Sequence, residues 1–140
     1  MTVDCFLDTN ILIYAYDVEA QDKHKKAKDI VYSFWNDHGA LISTQVLQEF
    51  YVNVTKKMPQ PLTLATARNI VEQYQVWPVI TNTAQNIIRA SEIQERYQLS
   101  FWDSLIISAA ESGGARIILS EDLSHNQSVA GIRIQNPFVE

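Results

Sequence analysis

Apolar residues in this chain follow two rhythms. Residues 3–7, 40–42, 77–80, 116–119 and 132–134 form short, mainly apolar runs with β-branched members, the pattern of strands buried on both faces. Between them apolar positions return at helical spacing, as Ala27, Ile30, Val31 and Phe34 do, and predict helices over 9–16, 23–38, 45–57, 64–74, 83–97 and 101–112. The punctuation agrees with these boundaries. Gly39 and the Gly113-Gly114 pair suit helix ends, and Ser43 or Thr44 suits a helix start. Pro78 has no amide hydrogen and confines its strand to a sheet edge. Met58-Pro59-Gln60-Pro61 is the clearest break in the chain and is short; no repeat or low-complexity tract accompanies it.

Strands alternating with helices argue for a parallel sheet covered on both faces, and such sheets hold ligands at the carboxyl ends of their strands. Two acidic words stand at that edge: Asp8-Thr9-Asn10 follows the first strand and Ser120-Glu121-Asp122 the fourth. Glu49 and Asp103 fall on helices whose other residues are largely apolar. A carboxylate kept from water stays ionised only when a cation, a partner charge or several hydrogen bonds compensate it. Acids spread along the chain beside core elements therefore point to a shared hard cation such as Mg²⁺, which takes oxygen ligands.

Each acid also has an ordinary explanation. Asp8 is a favoured N-cap for the helix after it, and Asn10 suits a first turn. Glu49 lies roughly 115° around its helix from the centre of the Val46, Leu47, Phe50 and Val54 stripe, where glutamates are commonly solvated. Ser100-Phe101-Trp102-Asp103 fits an acidic form of the capping box. Leu105, Ile106, Ile107, Ala109 and Ala110 nevertheless make that helix apolar on most sides, and the cost of an acid there favours a functional Asp103. Ser120, Glu121 and Asp122 also suit a turn. In Lys23-His24-Lys25-Lys26-Ala27-Lys28 the default is a solvated helix face; Lys25, Lys26 and the later His125 are the candidates for substrate contact. Lys56 and Lys57 suit the negative end of a helix dipole and require no substrate. Trp35, Trp77 and Trp102 read as core or interface anchors.

Composition narrows the picture. A chain of 140 residues with 46% hydrophobic content can bury a core as one domain, 1–140, without disulfides or structural zinc. The single cysteine, Cys5, excludes an internal disulfide and a cysteine zinc cluster; it reads as a buried hydrophobe in a protein of the reducing cytoplasm. Residues 1–16 have no basic leader, and Asp8 and Asn10 interrupt their apolar stretch, so neither a signal peptide nor a membrane span is expected. The net charge of −5 argues against broad adhesion to nucleic acid, although a cation held by the acids turns a phosphate-repelling pocket into an attracting one.

Four words, in this order and at these separations, resemble the PIN-domain nucleases, especially the VapC-type toxins of prokaryotic type II toxin-antitoxin pairs: Phe6-Leu7-Asp8-Thr9-Asn10-Ile11-Leu12, Gln48-Glu49-Phe50, Trp102-Asp103-Ser104-Leu105-Ile106 and Leu119-Ser120-Glu121-Asp122-Leu123. The resemblance covers essentially the whole chain. It implies an α/β, PIN-like three-layer sandwich, with a central, mostly parallel sheet of about four to five strands and helices on both faces. It further implies that Asp8, Glu49, Asp103 and Asp122 are the catalytic, metal-holding acids, with Asn10, Thr9 and Ser120 supporting them. Glu121 sits where some members carry an additional acid. The implied activity is endoribonuclease cleavage of RNA with Mg²⁺, or Mn²⁺ in its place. A small antitoxin and a second copy in a homodimer are the implied partners. The alternative is a PIN-like module that binds RNA or protein without cutting, against which the intact acid set speaks. A metal phosphohydrolase is disfavoured because Asp8-Thr9-Asn10 lacks the second aspartate of the common Asp-x-Asp word.

Overall fold

The computed structural model describes residues 5–139. Val3, expected to open the first strand, lies outside them, as do the first residues of the stretch read for a leader. The chain runs β1 (Cys5–Leu7), α1 (Thr9–Tyr14), α2 (Asp22–Asp37), β2 (Ala40–Ser43), α3 (Thr44–Val52), α4 (Leu64–Tyr74) and β3 (Val79–Ile80). It continues through α5 (Ala84–Tyr97), α6 (Phe101–Ser112), β4 (Ile117–Leu119), β5 (Ser128–Val129) and β6 (Ile132–Gln135).

The strands form one sheet in the order β3-β2-β1-β4-β6-β5. All pairs are parallel except β5 with β6. From β1 the chain moves outward to β2 and β3, then returns to place β4 on the other side of β1. Right-handed crossovers put α1 to α4 on one face and, after that reversal, α5 and α6 on the other. The boundary between β1 and β4 is thus the point where strand order reverses, the place where open α/β sheets bind ligands. Phe6, Leu7, Leu41, Ile42 and Ile118 have no exposed surface, as strands covered on both faces require. Each such side chain contributes about 1.5–3 kcal/mol by leaving water.

The α/β sandwich is as expected, but the sheet has six strands where about four to five were anticipated. The addition is β5, too short to leave a pattern of its own. It turns into β6 through Ala130 and Gly131, both at positive φ (52° and 81°), the hairpin geometry that matches strand twist. β3 is an edge strand, as Pro78 dictates; the Pro78 carbonyl accepts from Ile42 N at 3.1 Å. The first helix stops at Tyr14, short of residue 16, and a 3₁₀ turn at Val18–Ala20 follows with Asp17 as its cap. The helix expected over 45–57 divides: α3 passes into a π turn at Asn53–Lys57, closed by Met58 N donating to the Asn53 carbonyl at 2.9 Å.

Side-chain caps fix the helix starts. Ser43 Oγ accepts from Val46 N at 3.3 Å, and Thr83 and Asn86 make a reciprocal capping box. Trp77 is core, with Trp35 edge-on to it and to Tyr74, whereas Trp102 stands 63% exposed and anchors no core. Cys5 is buried. No helix among the described residues is long and apolar enough to cross a membrane.

Candidate active site

Where β1 and β4 end, their chains leave the sheet side by side. Leu7 pairs with Leu119, and Asp8 N donates to the Leu119 carbonyl at 3.0 Å. Asp8 then caps α1, its Oδ1 accepting from Thr9 N at 2.7 Å, while Ser120 Oγ donates to its Oδ2 at 2.7 Å. The N-cap explanation is therefore met, and the same carboxylate, 6% exposed, sits at the strand reversal. Burial pushes its pKa up to about 6; the bonds from Ser120 and Thr9 act downward, and the charges of Asp122 and Glu49 act upward.

Glu49 reaches this edge because α3 begins where β2 ends. Thr9 Oγ1 donates to Glu49 Oε1 at 2.7 Å. Gln45 Nε2 donates to Glu49 Oε2 at 3.4 Å and to the Trp102 carbonyl at 3.3 Å, which ties α3 to the first turn of α6. Since α6 leads into β4, it runs against the strands and starts at their carboxyl ends, bringing Asp103 to the same edge. Ser100 Oγ accepts from Asp103 N at 3.1 Å, but the Asp103 carboxylate makes no hydrogen bond among the described residues, so only half of the anticipated capping box forms.

The last acid is positioned through backbone and amide groups. Asp122 N donates to Ser120 Oγ at 3.1 Å, Asn10 Nδ2 to Asp122 Oδ2 at 3.2 Å, and Glu121 N to Asn10 Oδ1 at 3.1 Å. Glu121 has other partners: Tyr14 OH donates to one of its oxygens at 2.6 Å and Lys23 to the other. Burial raises its pKa, but Lys23 and Tyr14 together hold it below the usual carboxylate range. Both oxygens are thus engaged away from the Asp8 group.

Of these residues Thr9, Asn10, Glu49 and Asp122 line a cleft of about 480 Å³, together with Asn53 and Lys57, while Asp8, Asp103, Ser120 and Glu121 are not part of its lining. Lys25 and Lys26 are exposed on α2 and do not line it, nor does His125, whose Nδ1 accepts from Asn136 N at 2.9 Å. Nothing in spacing alone singles out Lys57 or the Tyr14–Lys23 pair. For Gln45 the offset of four residues from Glu49 is the one available signal.

The donor set suits a hard cation. Every group around Asp8 offers oxygen, the buried carboxylate is pressed by two like charges, and the buried Gln45 Oε1 has no hydrogen-bond partner. As the side chains stand, no three acidic, histidine or cysteine groups among the described residues come close enough together to hold a metal ion.

Comparison with known proteins follows the same line. The PIN-domain family model matches residues 5–127. No curated protein sequence matches the chain. Among solved structures it is similar to a chain of a toxin-antitoxin complex from Klebsiella pneumoniae (18% identity, 96% of this chain and 98% of that one, TM-score 0.69). It is also similar to VapC20 of Mycobacterium tuberculosis, described as a Sarcin-Ricin loop cleaving toxin (20%, 93% and 99%, TM-score 0.68). DNA-bound VapBC from Salmonella typhimurium gives 22% identity over 97% and 99% of the two chains, with a TM-score of 0.67. Identities this low speak to the fold, which is the expected three-layer one. On the match over residues 5–127, this chain belongs to the PIN-domain family.

Proposed function

We propose that the protein is a Mg²⁺-dependent endoribonuclease and the toxin of a toxin-antitoxin pair, acting as one domain over residues 1–140 in the cytoplasm. The observation carrying this reading is the Asp8 carboxylate, buried where strand order reverses, with two acids acting on it and no cation paired to it among the described residues. Family membership supports it, as do fold neighbours described as toxin-antitoxin assemblies and as a Sarcin-Ricin loop cleaving toxin.

In this reading Asp8, Asp103 and Asp122 hold the ion, and Glu49 holds a second one or orients the attacking water. Mg²⁺, or Mn²⁺ in its place, supplies Lewis acidity toward the scissile phosphate and toward water when bound. The protein's own part is orientation. Ser120 and Thr9 fix the Asp8 carboxylate, each using one lone pair of an oxygen that has another to offer. Thr9 and Gln45 do the same for Glu49, and Asn10 for Asp122. The antitoxin silences the enzyme by covering the acidic cleft, and copies of the chain pair as a homodimer.

The test is incubation of structured RNAs with the purified protein in Mg²⁺, Mn²⁺ or EDTA, beside Asp8→Asn. Cutting is expected with either ion and lost in EDTA and in the variant. RNA that is bound but left intact under every condition would establish the silent binding module instead. For the toxin assignment, expression should arrest growth, and a short DNA-binding protein encoded next to it should relieve the arrest; unaffected growth would remove that part of the proposal.

A further inference from the structure

Lys57 is a cation in an acidic cleft without a partner. It shares the lining with Glu49 and Asp122, yet among the described residues it makes neither an ion pair nor a hydrogen bond. The backbone explains how it gets there. In an uninterrupted α-helix the residue at 57 would emerge about 80° around the axis from Glu49. The π turn at Asn53–Lys57, with roughly 4.4 residues per turn, rotates less at each step and brings Lys57 to within about 10° of the Glu49 direction. Its neighbour Lys56 is exposed as Lys57 is, but does not line the cleft.

Such turns are rare and gather at functional sites. Here the sequence stabilises the irregularity: Thr55 Oγ1 donates to the Tyr51 carbonyl at 2.7 Å and Asn53 Nδ2 to the Glu49 carbonyl at 2.8 Å. An exposed ammonium group that lines the same cleft as two carboxylates without pairing to them is available for an anion entering it. The amides of Gln48 and Asn53 in the same lining offer further donors.

We propose that Lys57 binds a phosphate oxygen of a single-stranded RNA backbone, at a phosphodiester next to the one presented to the acids. It is a substrate-binding residue that takes no part in breaking the bond, and its assignment rests on the nuclease reading above. The competing explanation is that Lys57 merely complements the helix dipole. Lys56 occupies the same helix end, which makes it an internal control.

Steady-state cleavage of a mixed-sequence single-stranded RNA in Mg²⁺ is measured for wild type, Lys57→Ala, Lys57→Arg and Lys56→Ala. Anisotropy binding over a salt series is measured with each change placed in cleavage-blocked Asp8→Asn. Lys57→Ala is expected to raise KM and Kd by about three- to tenfold with kcat within about twofold, and to lower the slope of log K against log salt by about 0.7, one phosphate contact on a single strand. Lys57→Arg should keep both values, and Lys56→Ala should match its parent protein. Equal affinity and slope for Lys57→Ala, or an equal loss for Lys56→Ala, would overturn the proposal while the nuclease reading stands. Wild-type protein that neither cuts nor binds RNA would instead fail the nuclease reading.

Discussion

Replacing Asp8 by Asn removes a charge from a buried side chain while keeping its shape, and pH makes the consequence measurable. In the folded chain the Asp8 pKa is pushed up to about 6 from its ordinary 3.8, chiefly by burial. The folded state thus holds this proton more tightly than the unfolded state does. The contribution to stability is complete below pH 3.8 and is lost as pH rises through about 6. A shift of that size on a fully buried group corresponds to roughly 3 kcal/mol, about half of it lost by pH 5. Asparagine does not titrate. Its amide can replace only one of the two acceptor oxygens that serve Thr9 and Ser120, an offset of about 1–3 kcal/mol that is the same at every pH. Urea unfolding of metal-free wild type and Asp8→Asn at pH 5 and pH 8 isolates the titration of Asp8 and of the two acids coupled to it, Asp122 and Glu49, because the remaining acids cancel in the difference. Between those pH values the difference should move by roughly 1–2 kcal/mol in favour of the variant. Parallel profiles for the two proteins would refute the burial of an ionised Asp8. Added Mg²⁺ should restore wild type at pH 8 and leave the variant unchanged, since only a binding-competent folded state gains from the ion.

Two further substitutions sort the supporting roles. Ser100 supplies the cap of α6 and the Asp103 carboxylate is unbonded, so Asp103→Asn should change stability by less than about 0.5 kcal/mol while abolishing RNA cutting. A sharply lowered melting temperature would make Asp103 a capping residue. Ser120→Ala removes a donor to Asp8 and an acceptor for Asp122 N and Leu123 N; it should cost about 1–3 kcal/mol by urea unfolding and weaken Mn²⁺ binding followed by electron spin resonance. Undiminished Mn²⁺ binding would count against Ser120 as a support.

Much of this molecule is legible in its sequence because burial and local capping act through nearby residues. Strands covered on both faces must be apolar throughout, so β1, β2 and β4 announce themselves; Pro78 marks an edge because it lacks a donor. Asp8 and Ser120 are readable as a pair, since both follow apolar strands of a parallel sheet. Features set by distant partners are not readable in this way. β5 pairs over two residues and exists only because β6 lies beside it. The π turn leaves apolar spacing almost unaltered, so helical periodicity runs through it and hides the turn that carries Lys57 into the cleft. Glu121 and Asp122 are adjacent acids in the sequence, and only the folded chain shows one bound to Tyr14 and Lys23 and the other held by Asn10.

β1 leaves the ribosome well before its neighbour β4: Asp8 and the hydroxyl that orients it are 112 positions apart. A nascent chain therefore carries a half-unpaired β1, and an aspartate with no serine beside it, until β4 has followed. Contacts this distant form late and slowly. If the molecule is a poison, its synthesis is guarded by topology, because a chain stopped before Ser120 cannot assemble the cluster.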